Sequence, residues 1–297
     1  MSIFVDETTK VVYQGLSPRP GAQALQYALR NRAYGTQVVA GTNPGRGGTE
    51  IEGIPVYASV GEAKGATGAN ATCIFVPAPN VLSAVTEAAE AGMDLIVVIS
   101  EGVPAQDEAR FYNQLRRDHP GTRLLGPNCP GLITPGKCNI GITAGEIATG
   151  GGPVGIVSRS GTLTYQALYE LTQKGIGQTT CVGIGGDPVP GTTFIDCLEA
   201  FQADPETKAV ILIGEIGGSE EERAAEFIKR EMDKPVVAYI AGVTAPPGRK
   251  MGHAGAIISG SQGTAQAKMD ALRAAGVQVA LNPTEAGELM AQVVKGL

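Results

Sequence analysis

The stretch KVVYQGLSPRPGAQALQYALRNRAYG, residues 10–35, decides the fold. Its first part, Lys10–Gln14, is an apolar run that predicts a buried strand, and Gly15 begins a turn. From Ala22 onward apolar residues recur at helical spacing, and Gly35 ends the pattern. A strand, a glycine turn and a helix form the unit from which doubly wound parallel sheets are built.

The same alternation continues through the first half of the chain. Further strands are predicted at Gln37–Ala40, Ala71–Val76, Asp94–Ile99 and Arg123–Leu125, with helical patterns at residues 59–64, 81–91 and 105–117. Parallel sheets of this kind bind ligands at the carboxyl ends of their strands. Residues 1–126 are therefore expected to form a Rossmann-like domain.

The first turn of this domain, GLSPRPG, argues against a nicotinamide cofactor. It lacks the GxGxxG glycines, and no acidic residue ends the second strand to hold a ribose. The loop after the second strand instead carries Arg46, which suits a phosphate. A phosphate-rich ligand such as coenzyme A fits better, and an ordinary turn without a ligand is the alternative.

A second run of strands and helices follows a segment rich in proline and glycine. Residues 127–153 contain no long periodic pattern and are predicted to be a linker. Strands are then predicted at residues 154–157, 180–184, 209–213 and 235–240. Residues 154–297 are expected to form a second doubly wound domain, of the flavodoxin-like type.

Four candidate groups follow the strand ends of this second domain: SRSGT at residues 158–162, GGDP at residues 185–188, Glu215 and His253. The SRSGT turn places Ser160 and Gly161 at a helix start, where free N–H groups suit a phosphate; an ordinary helix cap is the alternative. Glu215 follows another strand, and its carboxylate could accept a hydrogen bond from an imidazole or cap the next helix.

The fourth group is His253, in GRKMGHAGAIISG at residues 248–260. It is one of two histidines, and its immediate neighbours are glycine and alanine. Small neighbours and the nearby Arg249 and Lys250 would let a phosphoryl group approach the ring. A histidine in an ordinary loop is the alternative, but the shared sheet edge favours a reactive one.

Composition excludes several classes of protein. The net charge of −6 disfavours a nucleic-acid binder, and no apolar run is long enough to cross a membrane. The N-terminal MSIFVDETTK does not resemble a signal or transit peptide, so a cytoplasmic, bacterial-type location is expected. The five cysteines have no CxxC spacing, which predicts reduced thiols and no metal site.

Several long blocks resemble one family, the succinate–CoA ligase (succinyl-CoA synthetase) alpha subunits. The blocks are SRSGTLTYQ, CVGIGGDPVPGTTFID, LIGEIGG, AGVTAPPGRKMGHAGAI, GPNCPG and VPAP, and the resemblance extends over essentially the whole chain. It implies a Rossmann-like CoA-binding domain followed by a flavodoxin-like ligase domain. It also implies the role of this enzyme in the citric acid cycle, the reversible formation of succinyl-CoA through phosphohistidine and succinyl phosphate.

The resemblance assigns roles to individual residues. It makes His253 the phosphorylated nucleophile, Glu215 its hydrogen-bonding partner and Tyr165 a substrate-site residue, with Ser160 and Gly161 holding phosphate. For coenzyme A it implies the turn residues Ser17, Pro18, Arg19 and Pro20, together with Arg46, Ile99, Ser100 and Glu101.

The coenzyme A turn departs from the family pattern G-x-T-G-x-x-G. Pro18 and Pro20 remove two backbone N–H donors, and Pro18 cannot adopt the positive φ open to glycine. Arg19 is expected to compensate by pairing with a phosphate oxygen.

The chain has no GxxxxGK[ST] motif for a nucleotide. The resemblance implies that ATP or GTP, with magnesium, is bound mainly by a separate ATP-grasp beta subunit, in an αβ or α2β2 assembly. Two alternatives stay open: a related enzyme resembling malate–CoA ligase, and a non-catalytic CoA-binding homologue, which the altered turn would favour.

Overall fold

The computed structural model describes residues 2–246, 248, 251–258 and 263–297. The chain forms two compact units. One contains residues 4–143 and 189–191, and the other contains the N-terminal residues through Ile3 together with residues 144–188 and 192–297. Both are α/β units built on parallel sheets, which confirms the predicted fold class.

Strands and helices alternate through most of the first unit as predicted, and two short strand pairs that were not predicted interrupt the alternation. The elements are β1 (Lys10–Gln14), α1 (Gln23–Tyr34), β2 (Gln37–Thr42), β3 (Thr49–Ile51), β4 (Ile54–Tyr57), α2 (Val60–Thr67), β5 (Ala71–Ile74), α3 (Val81–Glu90), β6 (Leu95–Val98), α4 (Ala105–Asp118), β7 (Arg123–Leu125), β8 (Gly131–Thr134) and β9 (Cys138–Gly141).

The main sheet of this unit has the strand order β3-β4-β2-β1-β5-β6-β7. All neighbours are parallel except β3, which pairs antiparallel with β4. The chain runs outward from β1 through β2 to β4, and then starts again at β5 on the other side of β1. The carboxyl ends of β1 and β5 therefore flank the topological switch point, where open α/β sheets bind ligands.

Residues 127–153 contain β8 and β9, an antiparallel hairpin that pairs Gly131 with Gly141 and Thr134 with Cys138. A Cβ added to Gly131 would lie 1.9 Å from the carbonyl oxygen of Ile140, so glycine is required by the close approach of the two strands. The hairpin residues through 143 belong to the first compact unit, so the predicted linker segment contains ordered sheet structure. Gly131 and Gly141 are required there by the packing of the two strands.

The second unit begins at β10 and ends at a C-terminal helix. Its elements are β10 (Val154–Ser158), α5 (Gly161–Gln173), β11 (Gln178–Gly183), α6 (Phe194–Ala203), β12 (Ala209–Glu215), α7 (Glu220–Glu231), β13 (Val236–Ala241), α8 (Ala265–Ala274), β14 (Gln278–Ala280) and α9 (Pro283–Lys295).

Within this unit the parallel strands are ordered β14-β13-β12-β10-β11. Numbered along the unit, this is the 2-1-3-4-5 order of flavodoxin-like folds, with its switch point between β10 and β12. These two central strands are buried along their whole length, because helices cover both faces of the sheet. Within the described residues no helix is both long and apolar enough to span a membrane.

Candidate functional site

His253 and Glu215 meet at the switch point of the second unit. Glu215 is the last residue of β12, and His253 lies in the loop that follows β13. The imidazole Nδ1 is 2.7 Å from Oε2 of Glu215. An ionised carboxylate can only accept, so Nδ1 carries the proton and the lone pair of the neutral ring is on Nε2. The His253 side chain keeps 26% of its surface exposed, so the ring is held at one edge and open at another.

The environment favours the protonated form of His253. The hydrogen bond that His253 donates to Glu215 raises the pKa of His253 above its usual value, and partial burial opposes this. The charges of Glu215 and Asp187 raise the pKa further, while the Arg159 guanidinium lowers it. The hydrogen bond from Nδ1 to Glu215 therefore stabilises an imidazole that is cationic or bonded to a phosphoryl group.

The glycines of the neighbouring loops leave room for the imidazole. A Cβ added to Gly186 would lie 2.1 Å from Cγ of His253 and 2.3 Å from its Nδ1. The same loop fixes the histidine loop through its backbone, because the Gly255 N–H donates to the Gly186 carbonyl at 3.1 Å. Similarly, a Cβ on Gly217 would meet the Gly255 carbonyl oxygen at 2.0 Å. Gly186 of GGDP and Gly217 of GEIGG thus form the surface against which the His253 loop packs.

Arg159 is the third member of the site, and it was not predicted from the sequence. It follows β10 directly, and its backbone N–H donates to the Ile213 carbonyl at 3.0 Å. The side chain is buried, with Nε 3.4 Å from Oε1 of Glu215. Each oxygen of the Glu215 carboxylate therefore faces a nitrogen group, one on His253 and one on Arg159. The sequence signal that could have identified Arg159 is its place between two serines, at the carboxyl end of a strand beside the switch point.

Two further buried charges adjoin this trio. Glu221, in the first turn of α7, accepts the backbone N–H of Glu215 at 3.1 Å through Oε1, which also lies 3.9 Å from Nη1 of Arg159. Its other oxygen pairs with Lys268 of α8, and neither side chain has any exposed surface. Lys268 also contacts Glu222 at 3.2 Å. Sequence patterns gave no indication of this pair, because both residues sit on helices that look amphipathic.

Ser160 is the N-cap of α5. Its Oγ accepts from the Leu163 N–H at 3.3 Å, and its own N–H donates to Oγ of Ser158 at 3.1 Å. The hydrogen bonds described for Ser160 thus stabilise its own helix and turn. Gly161 is the first helical residue, and Tyr165 lies half-buried on the next turn. Their roles in holding phosphate and substrate stay predictions. Arg249 and Lys250 lie outside the described residues.

The first unit contains a cleft at its own switch point. It has a volume of about 710 Å³ and is lined from the ends of β1, β2 and β5 and from the start of α1. Its lining includes Gln14, Gly15, Ser17, Arg19, Pro20, Gln23, Ala24, Thr42, Asn43, Phe75 and Val76. The cleft opens at the carboxyl edge of the sheet, where the sequence predicted a ligand.

The turn between β1 and α1 forms one wall of this cleft. Gly15 and Gly21 adopt φ values of 85° and 76°, which only glycine takes without strain. Between them, Arg19 directs Nε toward Oγ of the buried Ser17 at 3.3 Å. No side chain caps the start of α1, and its first turn contains no acidic residue. The wall therefore combines a guanidinium with the positive end of a helix dipole.

The other predicted coenzyme A residues surround the cleft less directly. Arg46 is exposed at the end of the short 3-10 turn whose residues Asn43 and Pro44 line the cleft. Residues 99–101 follow β6, and Oγ of Ser100 donates to the carbonyl of Val76, which does line it. Pro18 is exposed on the turn. Neither Arg46 nor residues 99–101 are among the described lining residues.

No group of three or more His, Cys, Asp or Glu side chains among the described residues could hold a metal ion. All five cysteines are buried free thiols.

Two family models match the chain, one to each unit. The model described as CoA binding domain matches residues 6–102, and the model described as CoA-ligase matches residues 157–278. A likeness also exists to the solved structure of ATP citrate lyase from Methanothrix soehngenii in complex with citrate and coenzyme A. That match has 28% identity and a TM-score of 0.91 and covers 99% of this chain but only 51% of the lyase chain.

Curated relatives match over nearly the whole length. The alpha subunit of ADP-forming succinate–CoA ligase from Aquifex aeolicus is 55% identical, covering 99% of this chain and 95% of its own. Subunit alpha 2 of the Archaeoglobus fulgidus enzyme is 56% identical, covering 99% and 100%. The Staphylococcus epidermidis alpha subunit is 53% identical, covering 99% and 96%. Because these relatives are 53–56% identical over nearly their whole length, the chain belongs to the succinate–CoA ligase alpha subunit family.

Proposed function

We propose that this chain is the alpha subunit of an ADP- or GDP-forming succinate–CoA ligase. The enzyme would form succinyl-CoA reversibly from succinate, coenzyme A and a nucleoside triphosphate, and would need a beta subunit to bind the nucleotide with magnesium. The observation that carries the proposal is the 2.7 Å contact between Nδ1 of His253 and Glu215, which leaves Nε2 as the nucleophilic nitrogen.

The first step would be attack of Nε2 on the terminal phosphorus of the nucleoside triphosphate. A nitrogen–phosphorus bond forms, the bond to the bridging oxygen breaks, and the nucleoside diphosphate leaves. Positive charge develops on the imidazole as its lone pair is used. Glu215 stabilises that charge through the Nδ1 hydrogen bond, and Arg159 holds the second oxygen of the same carboxylate.

The second and third steps would transfer the activated group. A carboxylate oxygen of succinate attacks the phosphorus, the nitrogen–phosphorus bond breaks, and succinyl phosphate forms. The sulfur of coenzyme A then attacks the acyl carbon, gives up its thiol proton and expels phosphate. Tyr165, Ser160 and Gly161 are proposed to bind succinate and the phosphoryl group, because α5 begins at the same switch point as the carboxylate of Glu215.

Coenzyme A is proposed to occupy the cleft of the first unit. The guanidinium of Arg19 and the uncapped start of α1 would contact its phosphates, and Phe75 offers an aromatic surface to its base. Arg46 and residues 99–101 would contact the parts of the ligand that extend beyond the cleft. Two prolines in the turn remove N–H donors, so the guanidinium would supply much of the contact with the phosphates.

Phosphorylation of His253 tests the proposal directly. The chain and its beta subunit are incubated with a nucleoside triphosphate labelled at the terminal phosphate, and the acid-labile label is mapped. We expect label on His253, none in His253→Ala, and full labelling in the matched control His119→Ala. Label retained in the His253→Ala protein would refute the assignment.

Coenzyme A binding tests the other half of the proposal. Calorimetric titration of the chain with coenzyme A, alone and with the beta subunit, should give saturable binding in at least one of the two. Absence of binding in both would exclude ligase function. We also propose a cytoplasmic location, since five unpaired thiols are typical of proteins in a reducing compartment. Fractionation of the source cells would test it.

A further inference from the structure

Four ionisable side chains lie in a buried row beside His253. Glu215 and Arg159 are 7% and 5% exposed, and Glu221 and Lys268 are completely buried. The contacts run from Glu215 to Arg159 at 3.4 Å, from Arg159 to Glu221 at 3.9 Å, and from Glu221 to Lys268. These four side chains comprise two carboxylates and two cations, and a third carboxylate, that of the partly exposed Glu222, contacts Lys268 at 3.2 Å from outside the row.

The row is anchored by backbone as well as by charge. The carboxylate of Glu221 accepts the N–H of Glu215 itself, so it fixes the residue that holds the histidine. Glycine at 214 makes room for it, because a Cβ there would lie 2.6 Å from Cγ of Glu221. On the other side, a Cβ at Gly255 would lie 3.0 Å from Nη2 of Arg159. The main chain on both sides is therefore shaped around these charges.

Stability alone does not account for such a row. Buried ion pairs recover little more than their desolvation cost, and apolar side chains of similar volume would fill the same space at least as well. No contact is described between the pair of Lys268 and Glu221 and the imidazole, but Glu221 contacts both the Arg159 guanidinium and the backbone N–H of Glu215. The position of the pair indicates an electrostatic role in the site.

We infer that Lys268 and Glu221 are positioning residues that hold Arg159 between two carboxylates and thereby set the charge met by His253. The Glu221 carboxylate, 3.9 Å from Nη1 of Arg159, attracts the guanidinium and keeps it from closing fully on Glu215. Lys268 supplies the countercharge to Glu221, and neither side chain has exposed surface. This inference rests on the proposed role of His253 as the phosphorylated residue.

The sign of each perturbation follows from the charges that face the ring. The groups acting on His253 are Glu215 from β12, Arg159 from the end of β10 and Asp187 from the loop after β11, with Arg249 and Lys250 adjacent in sequence but outside the described residues. Removing the cation at 268 leaves one excess negative charge in the row. Removing the anion at 221 leaves one excess positive charge. The two changes must move the protonation of His253 in opposite directions.

The chain has two histidines, so their ring signals can be followed separately by NMR. The His253→Ala variant assigns the signals, and His119 serves as an internal reference on the other unit. In Lys268→Met we expect the pKa of His253 to rise by about half a unit to one unit, and in Glu221→Gln to fall by about the same amount. The double variant Glu221→Gln/Lys268→Met keeps the parental net charge and should titrate within about 0.3 units of the parent.

Two controls separate the electrostatic role from a structural one. Lys268→Arg keeps the charge and should keep the parental titration, and Lys229→Met removes an exposed cation from α7 and should leave His253 unchanged. Shifts of the same sign in both single variants would overturn the inference, as would the absence of any shift in folded protein. If a single variant does not fold, the double variant and the Lys268→Arg protein still test the inference. Both keep the parental net charge, so the pKa of His253 should match that of the parent in each.

Phosphorylation by labelled nucleotide in the presence of the beta subunit provides the second readout. Because the neutral ring is the nucleophile, the acid limb of the rate profile should move to higher pH in Lys268→Met and to lower pH in Glu221→Gln. Wild-type chain that titrates as expected but takes up no label would refute the proposed function alone. Chain that is labelled normally while both variants keep the parental acid limb would refute the inference alone.

Discussion

Gly186→Ala should disable His253 without unfolding the protein. The added Cβ would lie 2.1 Å from Cγ and 2.3 Å from Nδ1 of the imidazole, whereas carbon atoms in contact are about 3.5 Å apart or more. The ring therefore has to retreat by roughly 1 Å or more. It can do so, because the side chain is 26% exposed and sits on a loop.

Retreat of the ring lengthens the 2.7 Å bond between Nδ1 and Glu215 beyond hydrogen-bonding range. A charge-assisted hydrogen bond contributes about 1.5–3 kcal/mol, so its loss should lower the pKa of His253 by roughly 1–2 units. Because this contact also supports the cationic transition state, His253 phosphorylation should slow by about 10-fold or more. The global free energy of unfolding should change by no more than about 1–3 kcal/mol, the usual effect of overpacking.

The assays are NMR titration of the two histidines and uptake of labelled phosphate with the beta subunit present. Gly121→Ala is the matched control, because a Cβ there meets nothing within 4 Å and its φ is not positive. The control should behave as the parent in both assays. A Gly186→Ala protein with the parental pKa and parental rate of labelling would show that the Glu215 contact does not govern the reactivity of His253.

Three further predictions follow from the same geometry. Glu215→Gln should lower the pKa of His253 and slow its labelling. The pair of His253 and Glu215 contributes fully to stability below the pKa of an unfolded histidine, and this contribution is lost as the pH rises through the higher pKa of the folded state. The free energies of unfolding of Glu215→Gln and of the parent should therefore converge with increasing pH. Arg19→Ala should weaken coenzyme A binding by about 10- to 100-fold in calorimetry, while the exposed control Arg110→Ala should leave it unchanged. Burial raises the pKa of Cys138 to about 12, and all five thiols are buried, so a thiol reagent should react with them only as the protein unfolds.

The sequence was sufficient to predict most of the architecture because the signals were local. The apolar run at Lys10–Gln14 and the glycine stop at Gly35 match β1 and the end of α1. The short antiparallel pair β3 and β4 was not predicted. The hairpin of β8 and β9 was not predicted either. There Gly131 and Gly141 are required by the close approach of the two strands, a non-local cause that a local pattern does not report.

The site residues also divide into those that the sequence could predict and those that it could not. His253 and Glu215 could be singled out because strand ends and glycine-rich loops are visible in the sequence, and the distance between them agrees with the role proposed for each. Glu221 and Lys268 could not, since a charged residue on a helix is by default a solvated one. Only the packing of α7 and α8 onto the sheet turns these residues inward. Buried charge is a tertiary property, and its signature in sequence is indistinguishable from that of a surface charge.

The geometry of Glu215 explains why the second unit needs more than a histidine and a carboxylate. A carboxylate buried at a strand end is costly as an anion unless a cation lies beside it, and Glu215 is only 7% exposed. Arg159 supplies that cation at 3.4 Å, but its charge also lowers the pKa of His253, so its approach has to be limited. A second carboxylate on the far side of the guanidinium, itself neutralised by Lys268, provides the limit. We therefore expect the reactivity of His253 to depend on the buried charges of Arg159, Glu221 and Lys268, and these should be varied before the exposed loop.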